Sequence, residues 1–84
     1  MRHAGPAALD ELSDLLEELR ALPGVQEKSR GVFYRRSKAF LHFHEDPKGL
    51  FADVRGPDGE WERIEVTDAE ARTAVLAAAT RLTR

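Results

Sequence analysis

The residues with the most chemical potential crowd into KAFLHFHEDPKGLFADVR, Lys38 to Arg55. His42 and His44 stand two apart, so on an extended chain both imidazoles project to one side. Asp53, across the following turn, adds a carboxylate. Two imidazoles and one carboxylate match in number a zinc or iron centre with an open position. Arg63 competes for Asp53, however, and a histidine opposite an aspartate is equally an ordinary cross-strand charge pair. No metal and no cofactor are therefore assigned, and a His42–His44–Asp53 metal site is held as an alternative. His3 is expected in a frayed terminus, where it adds no ligand.

Other reactive constellations fall away sooner. The chain has no cysteine, which excludes disulfides, thiolate zinc sites and thiol nucleophiles. Ser13, Ser29 and Ser37 sit on a polar helix face or in turns, outside any nucleophile-elbow motif. The glycines occupy turns rather than a phosphate loop. A noncatalytic protein is expected. The basic hairpin EKSRGVFYRRSKAF suggests a second alternative, in which Lys28, Arg30, Arg35, Arg36 and Lys38 grip phosphates while Tyr34 offers a stacking surface for nucleic acid.

The elements that must position these side chains follow from periodicity. Leu9, Leu12, Leu15, Leu16, Leu19 and Leu22 recur at three- and four-residue steps, which predicts one amphipathic helix from Pro6 to the Pro23-Gly24 stop. Its other face carries Asp10, Asp14, Glu17 and Glu18. The run TDAE predicts a capping box on Thr67 and Glu70 that opens a second helix over 68–82. Its arginines, Arg72, Arg81 and Arg84, are expected to serve solubility.

Between the helices the period is two. Strands are predicted over 32–35, 39–45, 50–55 and 61–66, separated by turn residues. The expected fold is α+β, in the order α-β-β-β-β-α, with a four-stranded antiparallel meander carrying both helices on one face. Pairing Glu45 with Leu50 sets Leu41 opposite Val54 and Phe43 opposite Ala52 on the core face. The same register sets His42 against Asp53 and His44 against Phe51 on the outer face. A five-residue loop from Gly56 to Glu60 then puts Arg63 beside Asp53 and Trp61 beside Arg55.

The outer face thus predicted combines Phe33, Phe40, Phe51 and Trp61 with His42, His44, Asp53, Arg55 and Arg63. Aromatic residues rimmed by charge suit a contact surface, so self-association as a homodimer or binding of a protein partner is the expected function.

With 84 residues the chain is expected to form a single domain, residues 1–6 fraying. Hydrophobic residues at 42% and charged residues at 33% describe a globular chain. The formal charge of −2, from 13 basic and 15 acidic residues, lacks the excess of a general nucleic-acid or anionic-membrane binder. The N-terminus turns acidic too early for a signal peptide, and a cytoplasmic location is the default expectation.

The run LPGVQEK, Leu22 to Lys28, with an aromatic segment, KAF at Lys38 to Phe40 and a β-meander, resembles the small YjbR/MmcQ-like proteins. The likeness spans roughly residues 12–66 and implies a double-wing α/β fold of a kind compared with DNA-binding domains; it implies no catalytic residues. The chain is shorter than that family's members and departs from them at HFHEDPKG. A second, architectural resemblance is to frataxin-like domains, which would make Asp10, Asp14, Glu17 and Glu18 a cation-binding ridge and Trp61 a partner contact.

Overall fold

A computed structural model describes residues 2–83, so Met1 and Arg84 lie outside the described residues. The elements are β1 (Arg2–His3), α1 (Pro6–Glu11), α2 (Ser13–Arg20), β2 (Val25–Ser29), β3 (Val32–Arg35), β4 (Lys38–Asp46), β5 (Gly49–Arg55), β6 (Trp61–Glu65) and α3 (Ala69–Leu82). The class is α+β with an open antiparallel sheet in the order β2-β3-β4-β5-β6. No described helix is long and apolar enough to cross a membrane.

Two strands and a helix break depart from the sequence reading. The leucine stripe runs through both α1 and α2, but Leu12 adopts φ −93° and ψ 8° between them. Its N–H is shared between the carbonyls of Ala8 and Leu9, at 3.3 and 3.1 Å, which tightens one turn without interrupting the stripe. The segment Val25–Ser29 is an edge strand, β2, whose polar sequence hides it from an apolar-run criterion and suits an exposed edge. The N-terminal residues expected to fray are tied to β4: Arg2 pairs with Glu45 and His3 with His44, and the Ala4 N–H donates to the Phe43 carbonyl at 3.1 Å. The Glu45 carboxylate, held below its ordinary pKa by the Gly5 N–H and then by Arg2, anchors that segment.

The helix cap also shifts by one residue. Asp68, not Thr67, caps α3, its carboxylate accepting from the Ala71 N–H at 2.8 Å, while the Thr67 hydroxyl donates to Glu65. An aspartate one place later offers the stronger acceptor next to the positive end of the helix. Arg72 is structural: its Nε donates to the Val66 carbonyl at 2.8 Å, and its other nitrogens reach the Thr67 and Glu11 carbonyls.

The register of the central strands agrees with the sequence reading. Leu41 lies opposite Val54, His42 opposite Asp53, Phe43 opposite Ala52 and His44 opposite Phe51. In β6, Arg63 lies opposite Asp53 and Trp61 opposite Arg55. One apolar cluster joins Leu9, Leu12, Leu15, Leu16 and Leu19 to Leu41, Phe43, Ala52, Val54 and Val66 of the sheet side and to Val75 and Ala79 of α3.

Phe33 and Phe40, expected on the outer face, belong to this core at 0% and 3% exposure. The turn alone would set them opposite each other, because Arg35 pairs with Lys38 and Tyr34 with Ala39. The next pair is Phe33 with Leu41, so Phe40 is an extra residue with no partner on β3. Such a bulge re-aims a side chain and displaces register by one, which turns Phe40 inward and brings Phe33 onto the face of Leu41.

At the sheet edge, Glu27 accepts hydrogen bonds from Arg20 of α2 and from the Gly31 N–H at 2.9 Å. Burial opposes its ionisation, but the Arg20 and Gly31 bonds outweigh it and hold the carboxyl below the usual glutamate value of 4.5. Stability from this group is therefore present above pH 4.5 and is lost as the pH falls through the lower folded value. Glu27→Gln is expected to lower stability by about 1–2 kcal/mol at pH 7. Urea denaturation of both proteins from pH 7 to pH 3 checks this, since the difference must shrink in acid.

Candidate metal centre

Three histidines meet on the outer face of the sheet. His42 and His44 alternate with core residues Leu41 and Phe43 along β4, and His3 lies directly opposite His44, so the ladder places its side chain on the same face. The ring centroids are 4.5 Å apart for His42–His44, 5.3 Å for His3–His44 and 5.8 Å for His3–His42. One ligand atom from each ring lies within 4.8 Å of those of the other two.

Two of the ring nitrogens are buried without a hydrogen bond: His42 Nδ1 and His44 Nε2. The latter stands 3.0 Å from Asp53 Oδ2, the distance of an ion pair when the ring is protonated. Burial holds His42 below the ordinary imidazole pKa, and the neighbouring His44 adds to this while Asp53 opposes it. A neutral imidazole with an unshared ring lone pair is the form that ligates a metal.

Asp53 is otherwise engaged. Arg63 grips it with Nε on Oδ1 at 2.8 Å and a terminal nitrogen on Oδ2 at 3.0 Å. These bonds hold the carboxyl below its ordinary pKa despite its burial. The set that closes is thus His3–His42–His44, rather than the His42–His44–Asp53 set read from the sequence. Among the described residues, the acids Asp10, Asp14, Glu17 and Glu18 form no comparably close ligand cluster.

Around the histidines, Trp61 is 44% exposed, its ring 5.0 Å from that of His42 and 5.7 Å from the Arg55 guanidinium. Phe51 is half-buried. The outer face therefore keeps His42, His44, Phe51, Asp53, Arg55, Trp61 and Arg63 of the nine residues expected there, loses Phe33 and Phe40, and gains His3. His3 was missed because a two-residue strand, Arg2–His3, is too short to show a period in the sequence.

The residues of the basic hairpin separate. Arg30 pairs with Asp10 at 2.7 Å, and the Lys28 ammonium sits 4.6 Å over the Tyr34 ring. Arg35, Arg36 and Lys38 collect at the far turn. No protein-family model matches this chain, and neither a curated protein nor a solved structure matches it.

Proposed function

We propose that the protein is a noncatalytic metal-binding module that holds a borderline divalent ion, zinc or a close first-row neighbour, through His3, His42 and His44. The observation that carries this reading is the convergence of three imidazoles, each offering a donor atom within 4.8 Å of the others, beside a buried His42 Nδ1 that has no hydrogen bond. Zinc–nitrogen bonds of about 2.0–2.1 Å place tetrahedral donors about 3.4 Å apart, so side-chain rotation of about an ångström completes the site. All-imidazole ligation favours zinc, copper, nickel or iron over calcium and magnesium, which take oxygen donors.

Three protein donors leave a coordination position for water or a small ligand. Asp53, the nearest carboxylate, is held through both oxygens by Arg63, which supports a binding role over that of a free general base. A second copy or a protein partner, expected from the sequence at this face, retains Trp61 and half-buried Phe51 as its apolar contacts, since Phe33 and Phe40 face the core. Metal binding uses the face more completely.

Isothermal titration of chelator-treated protein with zinc distinguishes the possible ligand sets. One ion per chain is expected, with affinity reduced on the order of a hundredfold or more in either His42→Ala or His3→Ala, because losing a direct ligand exceeds the 10–100-fold typical of an outer-shell partner. Asp53→Asn is expected to cost less. Equal heats for wild type and His3→Ala, with binding lost in Asp53→Asn, would instead restore the carboxylate set.

A further inference from the structure

Four cations gather where no acid answers them. Arg35, Arg36 and Lys38 of the β3–β4 turn and Arg55 at the end of β5 line a cleft of about 270 Å³, walled by Phe40 and Pro57, with no carboxylate in its lining. Among the described residues none of the four is ion-paired, although Arg2, Arg20, Arg30 and Arg63 each hold a carboxylate and Arg72 holds backbone carbonyls. Asp58, in the neighbouring loop, has its Oδ1 engaged by the Glu60 N–H at 3.0 Å. Within a chain of net charge −2 this is a concentrated reversal of sign.

The turn that presents them is built against backbone preference. Arg36 and Ser37 have φ of 53° and 67°, the left-handed pair that closes a two-residue hairpin and is normally filled by Asn-Gly or Gly-Gly. Here a long cation occupies the first of those positions, in a conformation that glycine would adopt with less strain.

We propose that this cleft binds a compact phosphoryl anion, one carrying one or two phosphate groups. Guanidinium forks match phosphate oxygens in pairs, and the ammonium of Lys38 adds a mobile point charge. A volume near 270 Å³ falls just below the range of drug-sized ligand sites, which suits a phosphate or pyrophosphate group rather than a whole base and sugar. The same groups also line a nucleic-acid backbone; the dispersal of Arg30 onto Asp10 and of Lys28 onto Tyr34 leaves no extended basic track and favours the small anion.

The test uses the full chain in chelator-treated buffer, which keeps it independent of the histidine site. Calorimetric titration with sodium pyrophosphate at constant ionic strength is expected to give saturable binding of one anion, with sulfate weaker. Arg36→Gly relieves the left-handed backbone, so it is expected to retain or raise the melting temperature while weakening pyrophosphate on the order of tenfold, the effect of one charge-assisted contact. Arg55→Gln is expected to weaken it similarly. Absence of saturable heat, or unchanged affinity in both variants, overturns the proposal. So does a fifteen-residue oligothymidylate that binds more tightly than pyrophosphate and loses affinity in the same two variants, which would assign the cluster to nucleic acid.

Discussion

Phe40→Ala is expected to lower unfolding stability by about 3–5 kcal/mol, the usual cost of emptying a buried aromatic site. Against a total of about 4–13 kcal/mol for a domain of this size, the variant should be partly unfolded near body temperature. The mechanism is packing: Phe40 is 3% exposed and joins Phe33, Leu41 and Phe43 in the core. The urea midpoint of the variant measures it, with Phe51→Ala as the control on the outer face. Half-buried Phe51 should cost about 1–2 kcal/mol, since only part of its surface leaves water. A loss below about 1 kcal/mol for Phe40→Ala would mean that the bulge does not turn this ring inward.

Zinc at a hundred times its dissociation constant is expected to stabilise the wild-type protein by about 2.7 kcal/mol. For a chain of this length that is a rise in melting temperature of about 10–20 °C, reversed by EDTA. His3 gives the effect a local signature. It lies on the two-residue strand β1, held to β4 by short ladder contacts and the Ala4–Phe43 hydrogen bond. A metal joining His3 to His42 and His44 cross-links that strand to the centre of the sheet, so exchange of the Ala4 amide hydrogen should slow on zinc addition. The shift should disappear in His3→Ala, which keeps both strand histidines. Identical melting curves with and without zinc in the wild type would remove the metal reading altogether.

Alternation along β4 and β5 was legible because Leu41, Phe43, Ala52 and Val54 must share one side once the Asp46–Gly49 turn pairs Glu45 with Leu50. That parity also put His42 and His44 with Asp53 and Arg63 on the opposite side. The leucine stripe of α1 and α2 was equally plain, because helical spacing repeats over four turns, and a local kink at Leu12 leaves it aligned.

Legibility ended where parity could change without a mark in the chain. The residue pattern of VFYRRSKAFLHF is compatible with Phe33 opposite Phe40 or with Phe33 opposite Leu41; the bulged register is the one that places both phenyl rings in the buried cluster. Thr67 and Asp68 both qualify as helix caps, and in the fold the Thr67 hydroxyl is taken by Glu65 while Asp68 accepts from the Ala71 N–H.

Amino-acid order alone determined an α+β chain, the leucine face of its first helical segment, the pairing of β4 with β5 and of β5 with β6, and the common side of His42, His44 and Asp53. Those features depend on contacts close along the chain, where period and turn length set geometry. The tertiary structure alone decided that β1 returns to β4 across some forty residues, that His3 and not Asp53 completes the histidine cluster, and that Arg55 joins the Arg35–Lys38 turn. Long-range pairing is selected by burial and hydrogen bonding summed over the whole fold, and a two-residue strand carries too little periodicity to announce its partner.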